Sequence, residues 1–364
     1  MHYPWFKTLN LSNEYKKSIS NIIDSNKMTM GKVCIDLENK LKKLLGFKHL
    51  ILTTSGTSAL MMAALSLNIK KNELVYVSNY TWIASINPFI ICGAKIKTFD
   101  TKENSHFVDF KLLNREIILR KPKIVILVNL NGESYIDKEF INLKKKLRFT
   151  VIEDCAQSLF VKNNFNKISG LNSDISCFSL SITKLFNMVY GGFCATNNDL
   201  LARKMRMIRN NGVDSLPENA KLELAKIPGL NLKPNDLNAS IGMININNRK
   251  KIISKSKLIY KIYCKYLKNP KLKILRIENL KNSIPIYISI FVDNRNKFSK
   301  FCQDKNIGIH FALRSLTSSK IIEKKDNFNY KNSKFLSDKL IRLPSGPGYD
   351  DKEIKKICNI LNQY

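Results

Sequence analysis

Asp154, Ser179 and Lys184 follow one another in an order that suits one kind of chemistry. Val151-Ile-Glu-Asp-Cys-Ala-Gln reads as a buried strand running out to an acidic tip, where Asp154 can hold a buried cation. Cys177-Phe-Ser-Leu-Ser-Ile-Thr-Lys reads as a second strand whose exit carries the hydroxyl of Ser179 and then the amine of Lys184. Singly, each has an ordinary explanation. An acidic strand end is commonly a turn or an N-cap, and one lysine among 61 Lys and Arg says little. As an ordered set they match what pyridoxal phosphate requires: a carboxylate for its protonated ring nitrogen, a hydroxyl for its phosphate and an amine for a Schiff base.

The surrounding pattern supplies a frame for such a set. Helical spacing of Val33, Leu37, Leu41, Leu44 and Leu45 stops at Gly46, and an apolar run from Ile51 leads through Ser-Gly-Thr into a small-residue helix. Strands are expected at 74–77, 94–99, 123–130, 150–153 and 175–180, with helices at 80–92 and about 137–147 and a turn at Gly191-Gly192. Alternation of this kind predicts an α/β doubly wound sheet with mostly parallel strands. Beyond about residue 240 the pattern changes. A long Lys-rich helix over 235–267 leads to strands near 272–276 and 284–292, a helix at 294–305 and a last helix from 351. The expected division is a large domain over 1–240 and a smaller α+β domain over 241–364.

Composition narrows the function classes. With 364 residues, 44% of them hydrophobic, the chain can bury a sizeable core. No apolar run reaches the roughly 18 residues of a membrane span, and the N-terminus lacks a signal pattern, so a cytoplasmic protein away from membranes is expected. The eight cysteines form neither Cys-x-x-Cys pairs nor Cys/His clusters, which argues against disulfides and against a bound metal. A formal charge of +32 invites a nucleic-acid reading. The lysines, however, alternate with Asn and Ile along the whole chain and accompany no nucleic-acid-binding signature, so nucleic acid is not the expected partner.

Two further segments bear on a cofactor. In Thr54-Ser-Gly-Thr-Ser, Gly56 permits a tight turn, and the first N–H groups of the helix at Gly56 and Thr57 suit a phosphate; a plain N-cap is the competing explanation. Trp82 lies in Tyr80-Thr-Trp at a strand-to-helix junction, where an aromatic either stacks on a flat ring or fills the core.

Together these segments resemble the DegT-type sugar aminotransferases, fold-type-I pyridoxal phosphate enzymes that aminate nucleotide-linked keto-sugars. The match rests on Thr54-Ser-Gly-Thr-Ser-Ala-Leu, Tyr80-Thr-Trp, Glu153-Asp-Cys-Ala-Gln, Phe178-Ser-Leu-Ser-Ile-Thr-Lys, Gly191-Gly192 and Gly229-Leu-Asn-Leu-Lys, in that order. The resemblance implies a three-layer large domain. It makes Lys184 the Schiff-base lysine, pairs Asp154 with the pyridinium nitrogen and sets Gln157 beside the phenolic oxygen. Ser179, Gly56 and Thr57 would hold the phosphate and Trp82 would stack on the ring. Asn231 would reach the phosphate from a neighbouring subunit, which implies a homodimer with shared active sites. Its substrates would be an amino donor, L-glutamate, and a keto-sugar for polysaccharide biosynthesis, in a ping-pong reaction.

Departures from the family pattern fall on the substrate side: Ser158-Leu-Phe-Val after the Asp-x-x-Gln motif, Tyr190 before the paired glycines, Leu232-Lys233, and His310-Phe-Ala-Leu-Arg-Ser in the small domain. Three other readings remain open at this level. They are a dehydratase of the kind that carries histidine at the lysine position, a cyclitol aminotransferase, and a non-catalytic regulatory relative. Arg314, His310 and Lys32 are candidates for substrate contacts by charge and position alone.

Overall fold

Strands and helices alternate as expected in a computed structural model that describes residues 2–214, 224–322 and 329–364. Seven strands form one sheet: β1 (His49–Thr53), β2 (Leu74–Ser78), β3 (Lys95–Phe99), β4 (Ile124–Val128), β5 (Thr150–Asp154), β6 (Ile175–Ser179) and β7 (Gly192–Thr196). Their order is β1-β7-β6-β5-β4-β2-β3. Pairs from β3 through β6 are parallel, while β7 runs antiparallel to both β6 and β1. The helices around this sheet are α1 (Ser12–Asp24), α2 (Lys32–Leu45), α3 (Gly56–Ser66), α4 (Asn87–Ile91), α5 (Phe110–Arg120), α6 (Lys138–Leu147), α7 (Asp199–Arg209) and α8 (Asp236–Asn247).

Alternation along β4 shows the layering. Ile124 and Ile126 pack with residues of α3, α4 and α7, while Val125 and Leu127 pack with residues of α5 and α6. Leu50, Leu52, Phe178 and Phe193 meet α2 and α8 on the second face. Both faces are covered, which is why the central strands read as continuous apolar runs. The result is a three-layer α/β/α unit.

A second sheet is antiparallel, in the order β10-β11-β9-β8, formed by β8 (Lys273–Ile274), β9 (Ile288–Phe291), β10 (His310–Phe311) and β11 (Leu340–Leu343). Its core takes side chains from α9 (Arg249–Tyr266), α10 (Arg295–Asp304) and α12 (Asp351–Leu361). Helix α9 joins the two cores, with Ile252 in the first and Ile259 in the second. The N-terminal segment threads into the second unit: the N–H of Tyr3 donates to the carbonyl of Asn306 at 2.9 Å, and that of Ser345 donates to the carbonyl of Trp5 at 2.9 Å.

Several expected elements are reshaped. The helix over 235–267 is two helices, α8 and α9, which meet at Asn248; its side-chain amide donates to the carbonyl of Ile244 at 3.1 Å. The helix over 80–92 is a 3-10 turn at Ile83–Ser85 followed by the short α4, because Pro88 must sit in a first helical turn. The strand over 284–292 shrinks to β9, since the N–H of Ile284 donates to Gly132 of the large unit at 2.9 Å. Strands β7, β10 and β11 and helices α5, α7 and α11 (Lys331–Lys339) were not foreseen.

One long-range cap fixes the start of α2. Gly31, at its N-cap, has no capping side chain, and the buried carboxylate of Asp236 serves instead. It accepts from the N–H groups of Gly31 (3.0 Å), Val33 (3.1 Å) and Cys34 (2.9 Å). Asp236→Ala is therefore expected to lower the unfolding free energy by about 2–4 kcal/mol in denaturant titration, more than an ordinary cap deletion.

Candidate active site

Open α/β sheets bind ligands beyond the carboxyl ends of their strands. Here that edge gathers the ends of β5 at Asp154 and β6 at Ser179 and the turn from β1 into α3. A cavity of about 380 Å³ opens there and is lined by Gly56, Thr57, Trp82, Asp154, Gln157, Ser179 and Lys184. Asn231 is the exception among the residues expected at the site. It is exposed, bridges to Asn210 and does not line the cavity of its own chain.

Asp154 is only 5% exposed. Its Oδ2 accepts from Ser85 Oγ at 2.6 Å and its Oδ1 from the N–H of Ala156 at 3.0 Å. Burial pushes its carboxyl above the usual carboxylate range, and the two hydrogen bonds and the charge of Lys184 oppose that push. The hydroxyl of Ser85 also bonds that of Thr81 at 2.8 Å. The turn that carries Trp82 is thus tied to Asp154 at its far end. Trp82 itself is 62% exposed and faces the cavity instead of filling the core.

Gln157 is oriented by its backbone neighbours. Its Oε1 accepts from the N–H of Asn131 at 2.9 Å, which leaves its amide NH₂ as the group it offers the cavity.

The phosphate end depends on close backbone approach. Ser55 caps α3 by accepting from the N–H of Ser58 at 2.9 Å. The N–H groups of Gly56 and Thr57 have no partner within the helix and carry its positive dipole end. A Cβ on Gly56 would lie 2.7 Å from that of Ser179, and one on Gly192 would lie 2.5 Å from the backbone of Ser55. The two glycines let the start of α3 rest on the ends of β6 and β7, beside the Ser179 hydroxyl.

Lys184 follows β6 in a half-buried turn closed by its own N–H, which donates to Ser181 at 2.9 Å. The turn is held from the second unit by Tyr287, whose hydroxyl donates to the carbonyl of Thr183 at 3.1 Å. These residues fit pyridoxal phosphate. A buried carboxylate held at its back leaves room for a cationic ring nitrogen, an amide donor stands nearby, and a helix start with a hydroxyl provides the anion cradle.

Of the charged candidates for substrate contact, only His310 lines the cavity. Lys32 pairs with Asp36 at 2.6 Å, and Arg314 is exposed elsewhere. Burial and the charge of Arg342 hold the His310 imidazole below its usual range, so it is neutral near pH 7. Sequence reasoning missed Trp5, Ser85, Tyr287 and Arg342. Ser85 lies within an expected helix of the right segment; nothing local in the chain marks the other three.

A family model described as the DegT/DnrJ/EryC1/StrS aminotransferase family matches residues 10–362. The chain is 26% identical over 363 residues to the GDP-perosamine synthase of Vibrio cholerae, covering 97% of each. It resembles the structure of Helicobacter pylori PseC, an aminotransferase involved in the biosynthesis of pseudoaminic acid, with a TM-score of 0.88 and 20% identity over 100% of this chain and 99% of that one. It also resembles E. coli GDP-4-keto-6-deoxy-D-mannose-3-dehydratase with bound hydrated pyridoxal phosphate, at a TM-score of 0.89 and 20% identity over 99% of both chains. At such identity the two structural likenesses establish the fold alone.

The geometry ranks two substitutions. Asp154 is the one carboxylate among the described lining residues, so Asp154→Ala would remove the anion a ring nitrogen needs, whereas Ser179→Ala would remove one of several donors to a phosphate. Titration of the purified variants with pyridoxal phosphate, read by absorbance, should show the larger loss of affinity for Asp154→Ala. A larger loss for Ser179→Ala would overturn the assignment of Asp154.

Proposed function

We propose that this chain, which belongs to the DegT/DnrJ/EryC1/StrS aminotransferase family, moves the amino group of L-glutamate onto a keto-sugar carried by a nucleotide. Membership makes it a pyridoxal phosphate-dependent aminotransferase. The observation that supports this reading best is the convergence of Asp154, Gln157, Ser179 and Lys184 on one cavity at the carboxyl edge of the sheet. Bound there, pyridoxal phosphate supplies an electron sink that makes a donor's α C–H bond acidic.

The chain's own residues then take distinct parts. Asp154 keeps the ring nitrogen protonated, because a nearby carboxylate favours the cationic form. Gln157 donates its amide N–H to the phenolic oxygen. The N–H groups of Gly56 and Thr57, with the Ser179 hydroxyl, would hold the phosphate, and Trp82 would cover a ring face. The amine of Lys184 would hold the cofactor covalently and, when free, would be the base placed to take the proton from the donor's α-carbon. Lys184 also favours transfer over dehydration, since the dehydratases of the resemblance carry histidine at that place.

Asn231 is assigned to the phosphate of a second copy's site, which fits its exposure and its absence from its own cavity. A homodimer with composite sites follows. We divide the chain into a cofactor-binding domain over 1–240 and a small domain over 241–364. No helix among the described residues is long and apolar enough to cross a membrane. We place the reaction in the cytoplasm, where glutamate and nucleotide sugars are at hand.

An absorbance spectrum of the purified protein tests the reading. Its visible band, from the lysine-bound cofactor, should bleach on addition of L-glutamate and return when the right keto-sugar follows. Lys184→Ala should fold, lack that band and lose turnover; activity near that of the unaltered protein would remove Lys184 from the mechanism. Asn231→Ala should weaken cofactor retention while leaving the sedimentation of a dimer unchanged. A monomeric unaltered protein would sink the shared-site arrangement.

A further inference from the structure

A second cavity, of about 760 Å³, opens where the two units meet and shares no lining residue with the one that holds Lys184. The loop from β3 to α5 gives it His106, Phe107 and Asp109, and the loop from β4 to α6 gives it Glu133 and Tyr135. The second unit adds Leu275, Arg276 and Glu278. At the floor lies a polar pair that is not satisfied. His106 is 4% exposed and Glu133 7%. Their facing atoms, Nε2 and Oε2, are 3.5 Å apart, too far for a good hydrogen bond, and Nε2 has no hydrogen-bond partner among the described residues.

Charge adds to the demand. Glu103, Asp109, Glu133, Asp137 and Glu278 are the acids of the lining, and Lys102, Lys111 and Arg276 its bases, an acidic excess that runs against the chain's formal charge of +32. Asp109 and Asp137 are committed as N-caps of α5 and α6, while Lys102, Glu103, Lys111, Arg276 and Glu278 are exposed. Burial, aided by the charge of Glu278, pushes the Glu133 carboxyl up to about 8. Burial also holds the His106 imidazole down, to about 4. Near pH 7 the floor is thus a protonated acid beside a neutral imidazole. Aromatic rings stand next to it. Phe107 and Phe110 each lie 5.7 Å from Tyr135 between centroids, and Tyr135 is exposed. Ring faces beside carboxylates attract organic cations.

We propose that this cavity binds an organic ammonium ion, its charged head between Glu133, Glu278 and the Nε2 atom of His106 and its body against Phe107 and Tyr135. The site is separate from the aminotransferase reading and does not depend on it. An N–H of the ammonium donates to Nε2 when the ring proton sits on Nδ1. Its charge favours the ionised form of Glu133, so the acid's O–H bond breaks, the proton leaves to solvent and the carboxylate pairs with the ammonium. A bare metal ion fits less well, since no three metal-ligating side chains cluster among the described residues. Because the walls come from both units, a ligand there also ties the second unit to the first.

Calorimetric titration of the cofactor-loaded protein tests this with N,N-dimethylcyclohexylammonium and with cyclohexanol, which has the same ring without the charge. A tertiary amine forms no imine with the cofactor, so it reports on the second cavity. It should bind saturably and about tenfold or more tightly than the alcohol. Titrations near pH 7 in buffers of different ionisation heat should show release of about one proton per site, because the aliphatic amine stays charged and Glu133 does not stay protonated. Above about pH 9 that release should fade, since Glu133 has then lost its proton before the ligand arrives. Glu133→Gln keeps the shape of the protonated acid and should retain the thermal midpoint, yet bind the amine about tenfold more weakly and without proton release. Glu278→Gln, at an exposed position, should weaken the amine as well. Equal binding of amine and alcohol, unchanged amine binding in both variants, or no saturable binding by the unaltered protein would overturn the proposal. So would displacement of the amine by Mg²⁺ alone, which would make this a site for an inorganic cation.

Discussion

A carboxylate buried at the tip of β5 is the constraint around which this molecule is arranged. Removing Asp154 from water costs free energy, and burial accordingly pushes its proton affinity up. The protein answers with a hydroxyl, a backbone N–H and the distant charge of Lys184, and leaves the cavity side of the carboxylate open. A cationic ring nitrogen completes that half-made compensation. The same bond that steadies Asp154 ties down the turn bearing Trp82, so one contact places both side chains at the cavity.

The opposite end of the cavity is an anion site for a different reason. There the peptide backbone does the binding, and side chains obstruct it. Gly56 and Gly192 have no Cβ to keep the start of α3 away from β6 and β7, so helix dipole, free N–H groups and the Ser179 hydroxyl converge. A backbone cradle suited to an anion and a buried carboxylate suited to a cation thus lie at opposite ends of one cavity.

The second unit closes the space from above. Its sheet brings Tyr287, His310 and Arg342 to the cavity, and the N-terminal segment, hydrogen-bonded along that unit, adds Trp5. The Trp5 ring lies 4.7 Å from that of His310 and 5.7 Å from that of Tyr287 between centroids, tilted against both. Tyr190 and His310, two of the departures from the family pattern, both line this cavity.

Much of the cofactor site was legible in the chain. Strand and helix periodicity is local, and Asp154, Ser179 and Lys184 each sit at or just beyond a strand end, so reading the strands located the residues. Gly56 was legible because a helix start needs a turn before it. The break at Asn248 was not, since Lys-rich periodicity continues across it and one side-chain bond decides the matter. Nor was the cap of α2 by Asp236, or the cavity roles of Trp5, Tyr287 and Arg342. Their partners lie far away in the chain, and such contacts leave no period or spacing to read. The sequence by itself determined the α/β alternation and the order of the candidate cofactor-binding residues, because both follow from local geometry. Only the tertiary structure decided what faces the substrate, because burial and charge are properties of the assembled cavity.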